Sequence, residues 1–170
     1  MKEVIKCVFP VSSTDYWKSL YFNEPFVRAL HLEGLNCSDL EIIHWAGTVE
    51  TGIKRAFRST PRIEAPAAVK KVLGESVSYT EEGSFDPKTQ RYSFEVIPSA
   101  MPNKIKIRGS YWLKERSESE VERVCELSFE VKVFGIGKLI EQFIARAFVD
   151  NQKRADEFTL HWLNNNFQRG

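Results

Sequence analysis

Residues 121–167 read VERVCELSFEVKVFGIGKLIEQFIARAFVDNQKRADEFTLHWLNNNF, and the spacing of their apolar residues changes partway along. Over 121–133 apolar and polar residues alternate, which is typical of a strand that covers a core with one face and meets water with the other. From about Ile136 the apolar residues recur with helical spacing, and neither proline nor glycine interrupts them after Gly137. The stretch therefore predicts a strand followed by one helix over 136–167, about 30 residues and roughly 45 Å long.

The chain before this helix has the alternation and turn residues of an antiparallel sheet. Two short helices are predicted over 12–22 and 25–33, each beginning at residues that favour helix starts, and a third short helical segment over 66–72. Strands are predicted over 2–9, 39–47, 48–59, 75–85, 90–98, 104–115 and 120–134. We expect an α+β fold, a single domain over 1–170, in which a curved antiparallel sheet of about six to seven strands wraps around the long C-terminal helix.

Composition limits the function classes open to the chain. It has 170 residues, is 42% hydrophobic, and carries 24 Lys and Arg against 23 Asp and Glu, for a net charge of +1. This balance argues against a dedicated nucleic-acid binder, which shows a basic excess. No apolar run approaches the ~18 residues of a membrane span, and the first residues lack the apolar stretch of a signal peptide. We expect a soluble protein of the cytoplasm or another intracellular compartment.

A bent sheet and a straight helix cannot pack closely along their whole length, so we expect a cavity between them. Apolar cavities of sufficient size are common small-molecule sites. Small residues at Gly109 and Ala147 are expected to leave room in it. The lining is predicted to comprise Phe57, Tyr79, Phe94, Ile107, Tyr111, Phe129, Phe143 and Ala147. The alternative is that these side chains form an ordinary filled core.

Two charged residues fall on inward positions by the same alternation. Arg55 lies between Ile53 and Phe57, and Glu81 follows Tyr79 on the next strand. A buried charge is costly unless it is paired, so an Arg55–Glu81 pair inside the cavity would serve to orient the polar end of a ligand. The alternative is a β-bulge that shifts the register and turns both side chains to water.

Motifs for catalysis, metals and cofactors lead to no assignment. The three histidines lack metal-ligand spacing, and the three cysteines form no CxxC pair, which indicates reduced and mostly buried thiols. There is no GxSxG elbow, and no cysteine stands beside a histidine for nucleophilic catalysis. The sequence GIGK at 135–138 lacks the spacer and the hydroxyl residue of a phosphate-binding loop, so it indicates a sharp turn into the helix. We therefore assign no catalytic residue, no metal and no cofactor.

The order of elements resembles the START-like, or helix-grip, superfamily, which includes the StAR-related lipid-transfer domains and the major birch-pollen allergen. The segments VKVFGIGKLIEQFI at 131–144 and EFTLHWL at 157–163 are similar to an uncharacterised subfamily of it. The resemblance implies a helix-grip fold that binds sterols, phospholipids, polyketides or other hydrophobic molecules. Some members are implied to be enzymes, typically cyclases or hydrolases, and the subfamily implies no specific chemistry.

These observations favour binding or carriage of a hydrophobic small molecule, lipid or sterol-like, which enters where a loop over 61–66 or 98–103 opens. One alternative is a cyclase- or hydrolase-like enzyme that uses Glu81, Arg55 or Tyr111 as acid or base in the same cavity. A further alternative is an interaction domain with a closed core.

One position suggests contact with a larger partner. Trp112 falls on the polar face of its strand, between Arg108 and Lys114, and an exposed tryptophan flanked by basic residues could make transient contact with a membrane surface or another protein. Packing by a neighbouring strand is the ordinary alternative. No nucleic-acid partner is indicated, and the sequence pattern assigns no oligomeric state.

Overall fold

The computed structural model describes residues 1–167, which form a seven-stranded sheet, three short helical segments and one long helix. None of the helices within this range has the length and apolar content needed to cross a bilayer. In chain order the elements are β1 Lys2–Phe9, α1 Ser13–Asp15 with a π-helical continuation Tyr16–Tyr21, α2 Glu24–Ala29 with a π-helical continuation Leu30–Gly34, β2 Asp39–Thr48, β3 Gly52–Thr60, α3 Ala67–Leu73, β4 Tyr79–Asp86, β5 Arg91–Pro98, β6 Ile105–Ser117, β7 Glu120–Val131 and α4 Gly137–Asn166.

The strands lie in the order β1-β7-β6-β5-β4-β3-β2, and every neighbouring pair is antiparallel. Strands β2 to β7 form a continuous meander, and β1 extends the far edge by pairing with β7, where Ile5 stands opposite Cys125. The 30-residue helix α4 packs against β1, β7 and the π-helical end of α2. This is the helix-grip arrangement of the α+β class, which confirms the fold predicted from the order of elements.

Strand bounds differ from the sequence prediction at several points, since β3 begins at Gly52 instead of residue 48 and β7 ends at Val131 instead of residue 134. The register of β2 against β3 shifts at Ile43, which is left unpaired and half exposed, and this bulge explains the irregular alternation of β2. Strand β4 begins at Tyr79 instead of residue 75. The preceding residues form a loop that is tied to the end of β5, because the Ser99 backbone N–H donates to the Ser78 carbonyl at 2.8 Å.

Both of the first two short helices widen into π-helical turns. The backbone N–H of Phe22 donates to the Trp17 carbonyl at 2.9 Å, and that of Leu35 donates to the Leu30 carbonyl at 2.8 Å. Each bond reaches back five residues instead of the four of an α-helix. Such turns are rare and occur disproportionately at functional sites.

A buried ion pair fastens α4 to the sheet. Arg123 of β7 donates from Nη1 and Nη2 to the two carboxylate oxygens of Asp156 on α4, at 2.6 and 3.1 Å. The two side chains are only 3% and 11% exposed. Gln152, one turn earlier on α4, donates to Asp156 Oδ1 at 3.0 Å and accepts a hydrogen bond from the Tyr111 hydroxyl of β6 at 2.7 Å. Strands β6 and β7 thus hold the helix through one polar network.

Removing one partner of this pair should destabilise the fold more than removing both. We expect Asp156→Ala to lower the free energy of unfolding by about 3–5 kcal/mol, because the Arg123 guanidinium is then buried without a counter-charge. The double variant Arg123→Met/Asp156→Leu should recover most of that loss, since no unpaired charge remains. Urea denaturation measures each variant.

The exposed pair Arg58–Glu41 provides the control, with side chains 49% and 54% exposed. Glu41→Ala should cost less than about 1 kcal/mol, as exposed ion pairs do. An Asp156→Ala variant that loses no more than Glu41→Ala would contradict the role of the pair in holding α4.

Candidate ligand-binding cavity

A cavity of about 220 Å³ lies between the sheet and α4. Strands β3 to β7 form one wall and α4 the opposite wall. The π-helical turns that follow α1 and α2 close part of the remaining boundary, together with the loops at 61–65 and 74–77. The helix therefore covers an interior that side chains do not fill.

Most of the residues that were predicted to line a cavity do line this one, on the sheet or on α4. They are Arg55, Phe57, Tyr79, Glu81, Phe94, Ile107, Tyr111, Phe143 and Ala147. Contact of these residues with a ligand stays a prediction.

Two features of the expected lining differ in the structure. Phe129 is 3% exposed and packs against Phe148 of α4, with ring centres 5.7 Å apart, so its ring fills the space between β7 and the helix and is not part of the wall. Gly109 leaves no room for a ligand, because the Phe94 ring lies directly over it, where a β-carbon would clash. The space at Gly109 instead lets Phe94 stack on Tyr111, with ring centres 5.3 Å apart.

Arg55 and Glu81 meet at the cavity wall. The pairing of β3 with β4 is regular at both residues, so the bulge that would have turned them to water is absent there. Arg55 Nη2 lies 3.5 Å from Glu81 Oε1, and Arg55 Nη1 donates to the Tyr21 carbonyl at 3.0 Å. The Tyr92 hydroxyl donates to Glu81 Oε1 at 2.9 Å. The pair therefore joins two strands and the π-helical turn after α1.

The surroundings of this pair are aromatic. The guanidinium carbon of Arg55 lies 4.9 to 5.3 Å from the ring centres of Tyr21, Phe22, Trp45, Phe57 and Tyr92. Ring faces attract a cation and so offset part of its desolvation. Burial raises the pKa of Glu81, although the Arg55 charge and the Tyr92 hydroxyl act in the opposite direction. Gly83 permits the approach of Tyr92, because a β-carbon at that position would strike the phenol.

A second polar group on the wall was not predicted. Arg123, Gln152 and Asp156, which hold α4 to the sheet, also line the cavity. The sequence carries a signal for them, because Arg123 stands on the inward face of β7 between Val121 and Cys125, both fully buried. Asp156 lies within the apolar stripe of α4. A charge on each of two facing apolar surfaces indicates a buried ion pair.

His31 is a further wall residue that the sequence did not single out. It lies in the π-helical turn after α2 and is 8% exposed. Its Nδ1 is 2.9 Å from the Val27 carbonyl, and because a carbonyl can only accept, the ring proton is on Nδ1. The ring meets Phe57 edge-on with centres 5.0 Å apart. Burial lowers the pKa of His31 to about 4, against the opposing effect of the bond to Val27, so the ring is neutral at neutral pH.

The loop at 61–66 borders the cavity as expected for an entrance. Pro61, Ile63 and Ala65 line it, and Ile63 is 39% exposed. From the other predicted entrance, only the end of β5 at Pro98 reaches the wall. The first loop is therefore the better placed of the two to admit a ligand.

Outside the cavity, a more open depression lies where residues of α4 from Leu139 to Lys153 meet Met1, Glu3 and Pro66. Within 1–167, no three His, Cys, Asp or Glu side chains come together as a metal site. Trp112 is half-buried, and the Arg91 guanidinium carbon lies over its ring, 4.0 Å from the centre. A side chain of the neighbouring strand thus covers this tryptophan, which is the ordinary alternative weighed from the sequence.

The buried imidazole makes stability depend on pH in a defined direction. The pKa of His31 is about 4 in the fold against 6.5 ordinarily, so between these values the unfolded chain binds the extra proton. The contribution of the neutral ring to the free energy of unfolding is complete above pH 6.5 and is lost as the pH falls toward 4. Between pH 7 and 4, the unfolding free energy of the wild type should drop about 3 kcal/mol more than that of His31→Gln.

Chemical denaturation at a series of pH values measures this difference. The exposed His161 provides the matched control, and His161→Gln should follow the wild-type profile. If the free energy of unfolding changes with pH equally in the wild type and in His31→Gln, then protonation of His31 does not destabilise the fold.

Solved structures share this architecture over nearly the whole chain. The Zhui aromatase/cyclase from Streptomyces sp. R1128 superposes with a TM-score of 0.70 at 10% identity, over 100% of this chain and 99% of that one. A START superfamily protein from Mycobacterium smegmatis gives 0.61 at 11% identity, over 95% and 98%. Major latex-like protein 151 from Panax ginseng gives 0.57 at 13% identity, over 92% and 93%. At such identities the likeness shows the fold alone, and that fold is the START-like one.

Sequence comparison adds a family. No curated protein matches the chain. The model of a family described as a protein of unknown function, DUF2505, matches residues 23–163. This range runs from the start of α2 to the last turn of α4 and so includes most of the cavity wall. The chain therefore belongs to the DUF2505 family, within the START-like helix-grip fold.

Proposed function

We propose that the protein binds and carries a hydrophobic small molecule in the cavity between the sheet and α4. The observation that supports this is an internal space of about 220 Å³ bounded mainly by aromatic and aliphatic side chains, where the arginines are paired with carboxylates. Protein interiors are otherwise close-packed, and the side chains around a void lose contacts. A bound ligand restores those contacts.

The cavity volume favours a compact ligand. An apolar cavity of about 150 Å³ holds benzene, whereas pockets for drug-sized molecules span about 300–1,000 Å³. The observed 220 Å³ lies between these values and suits a body of about two fused rings. A lipid or sterol-like molecule is larger, so its uptake requires the loop at 61–66 to move away from α4.

The driving force is the removal of apolar ligand surface from water. A ligand with the area of an aromatic side chain, roughly 150–250 Å², gains about 4–6 kcal/mol at ~25 cal/mol per Å² before binding costs. The Arg55–Glu81 pair marks a polar region of the wall and would orient the polar end of such a ligand. Affinity then comes from the apolar body and orientation from the pair.

Naphthalene is a suitable probe, because it matches the cavity volume and carries no polar group. We expect saturable binding by the wild type, with shifts of backbone amide NMR signals concentrated on α4 and on strands β3 to β7. Ala147→Trp should weaken binding at least about ten-fold, because an indole on the wall occupies the space that the probe needs.

Ala68→Trp, on an exposed position of α3, is the matched control and should bind naphthalene as the wild type does. Circular dichroism and thermal unfolding establish that both variants are folded. Two results would overturn the proposal: no binding by the wild type, or undiminished binding by a folded Ala147→Trp variant.

A second candidate is a cyclase- or hydrolase-like enzyme that works in the same cavity. The observation that favours it is the carboxyl of Glu81, which lines the cavity beside Arg55 and the Tyr92 hydroxyl and has a pKa raised by burial. A carboxyl of raised pKa is suited to proton transfer near neutral pH. The candidates differ in the fate of the bound molecule: a carrier releases it unchanged, whereas an enzyme releases a product whose formation depends on Glu81.

A further inference from the structure

The arginines of the cavity wall and the Tyr111 hydroxyl are already committed to the fold. Arg55 Nη2 pairs with Glu81 and Arg55 Nη1 donates to the Tyr21 carbonyl, whereas both terminal nitrogens of Arg123 pair with Asp156. The Nε atoms of both arginines are fully enclosed by protein, and the Tyr111 hydroxyl donates to Gln152. A ligand in the cavity therefore cannot rely on these donors without displacing an existing partner.

His31 is different. Its Nδ1 edge faces its own helix, where it bonds to the Val27 carbonyl at 2.9 Å. Nε2, on the opposite edge of the ring, has no hydrogen-bond partner among residues 1–167. Unlike the Nε atoms of Arg55 and Arg123, it is not sealed off by surrounding protein atoms. Because the buried ring lines the cavity, the cavity is where Nε2 finds a partner.

The tautomer makes this nitrogen an obligate acceptor. A neutral imidazole with its proton on Nδ1 has a lone pair on Nε2 and no proton to donate there. The hydroxyls of tyrosines on the wall can donate as well as accept. They therefore do not discriminate between ligands that donate a hydrogen bond and ligands that only accept one. An ether or carbonyl oxygen opposite His31 Nε2 would leave two acceptors facing each other in a dry site.

We propose that His31 Nε2 selects ligands that carry a hydroxyl or N–H group on a compact apolar ring body. The inference rests on the binding function proposed above and adds the chemistry of the polar end. The ring of Phe57 lies 5.0 Å from that of His31 and 5.3 Å from the Arg55 guanidinium carbon. His31 and Arg55 therefore both contact the Phe57 ring, and the apolar body of the ligand occupies the rest of the cavity.

Three related probes separate the polar contact from the apolar one. Naphthalene has no polar group, 2-naphthol donates a hydrogen bond, and 2-methoxynaphthalene can only accept one. At neutral pH we expect the wild type to bind 2-naphthol roughly 10- to 100-fold more tightly than 2-methoxynaphthalene, which is the effect of pairing a buried acceptor.

Two variants identify the acceptor. His31→Leu should remove the preference for 2-naphthol, so that this variant binds 2-naphthol and naphthalene with about equal affinity. His31→Gln retains an amide oxygen as acceptor and should keep part of the preference for 2-naphthol. In the wild type, the imidazole ¹⁵N signal of His31 Nε2 should shift on addition of 2-naphthol and not of naphthalene. This measurement does not depend on any variant being folded.

The outcomes distinguish this inference from the function on which it rests. Equal affinity of the wild type for all three probes would overturn the inference and leave the proposed function standing. Failure of all three to bind would overturn the proposed function and the inference with it. A preference for 2-naphthol that persists in His31→Leu would place the acceptor elsewhere and would also overturn the inference.

Discussion

A straight helix of 30 residues crosses the sheet and is held there by the pair between Arg123 and Asp156. The contact joins β7 to α4 through a bidentate ion pair, and the rings of Phe129 and Phe148 pack between the same two elements. Further along the sheet, no hydrogen bond or ion pair among residues 1–167 joins β3, β4 or β5 to α4, and the cavity lies between these strands and the helix.

The two buried ion pairs have different roles in the structure. The pair of Arg123 and Asp156 is bidentate and links helix to sheet, so it is chiefly structural. The pair of Arg55 and Glu81 is longer, at 3.5 Å, and lies within the sheet beneath a group of aromatic rings. Both satisfy the requirement that a buried charge be compensated. In both pairs the terminal nitrogens of the arginine already contact a carboxylate or carbonyl of the fold, whereas His31 Nε2 has no hydrogen-bond partner among residues 1–167.

Alternation along the strands and the change of period before α4 predicted the sheet, the long helix and the inward direction of Arg55 and Glu81. The same alternation applies to Arg123, which lies between Val121 and Cys125 on the buried face of β7. Alternation could not predict that His31 lies on the cavity wall. This position depends on the π-helical turn after α2, and the sequence pattern does not predict such a turn. Alternation also states which face a side chain takes but not what covers it, so Phe129 was expected at the cavity and lies under Phe148 instead.

The hollow itself can be tested in crystals of the protein held under xenon pressure. Xenon enters dry apolar cavities without needing a polar contact. We predict anomalous density for xenon between Ala147 of α4 and the rings of Phe57 and Phe94 on the sheet. Crystals that take up no xenon, with side chains filling the space between α4 and strands β3 to β6, would contradict a ligand-binding interior.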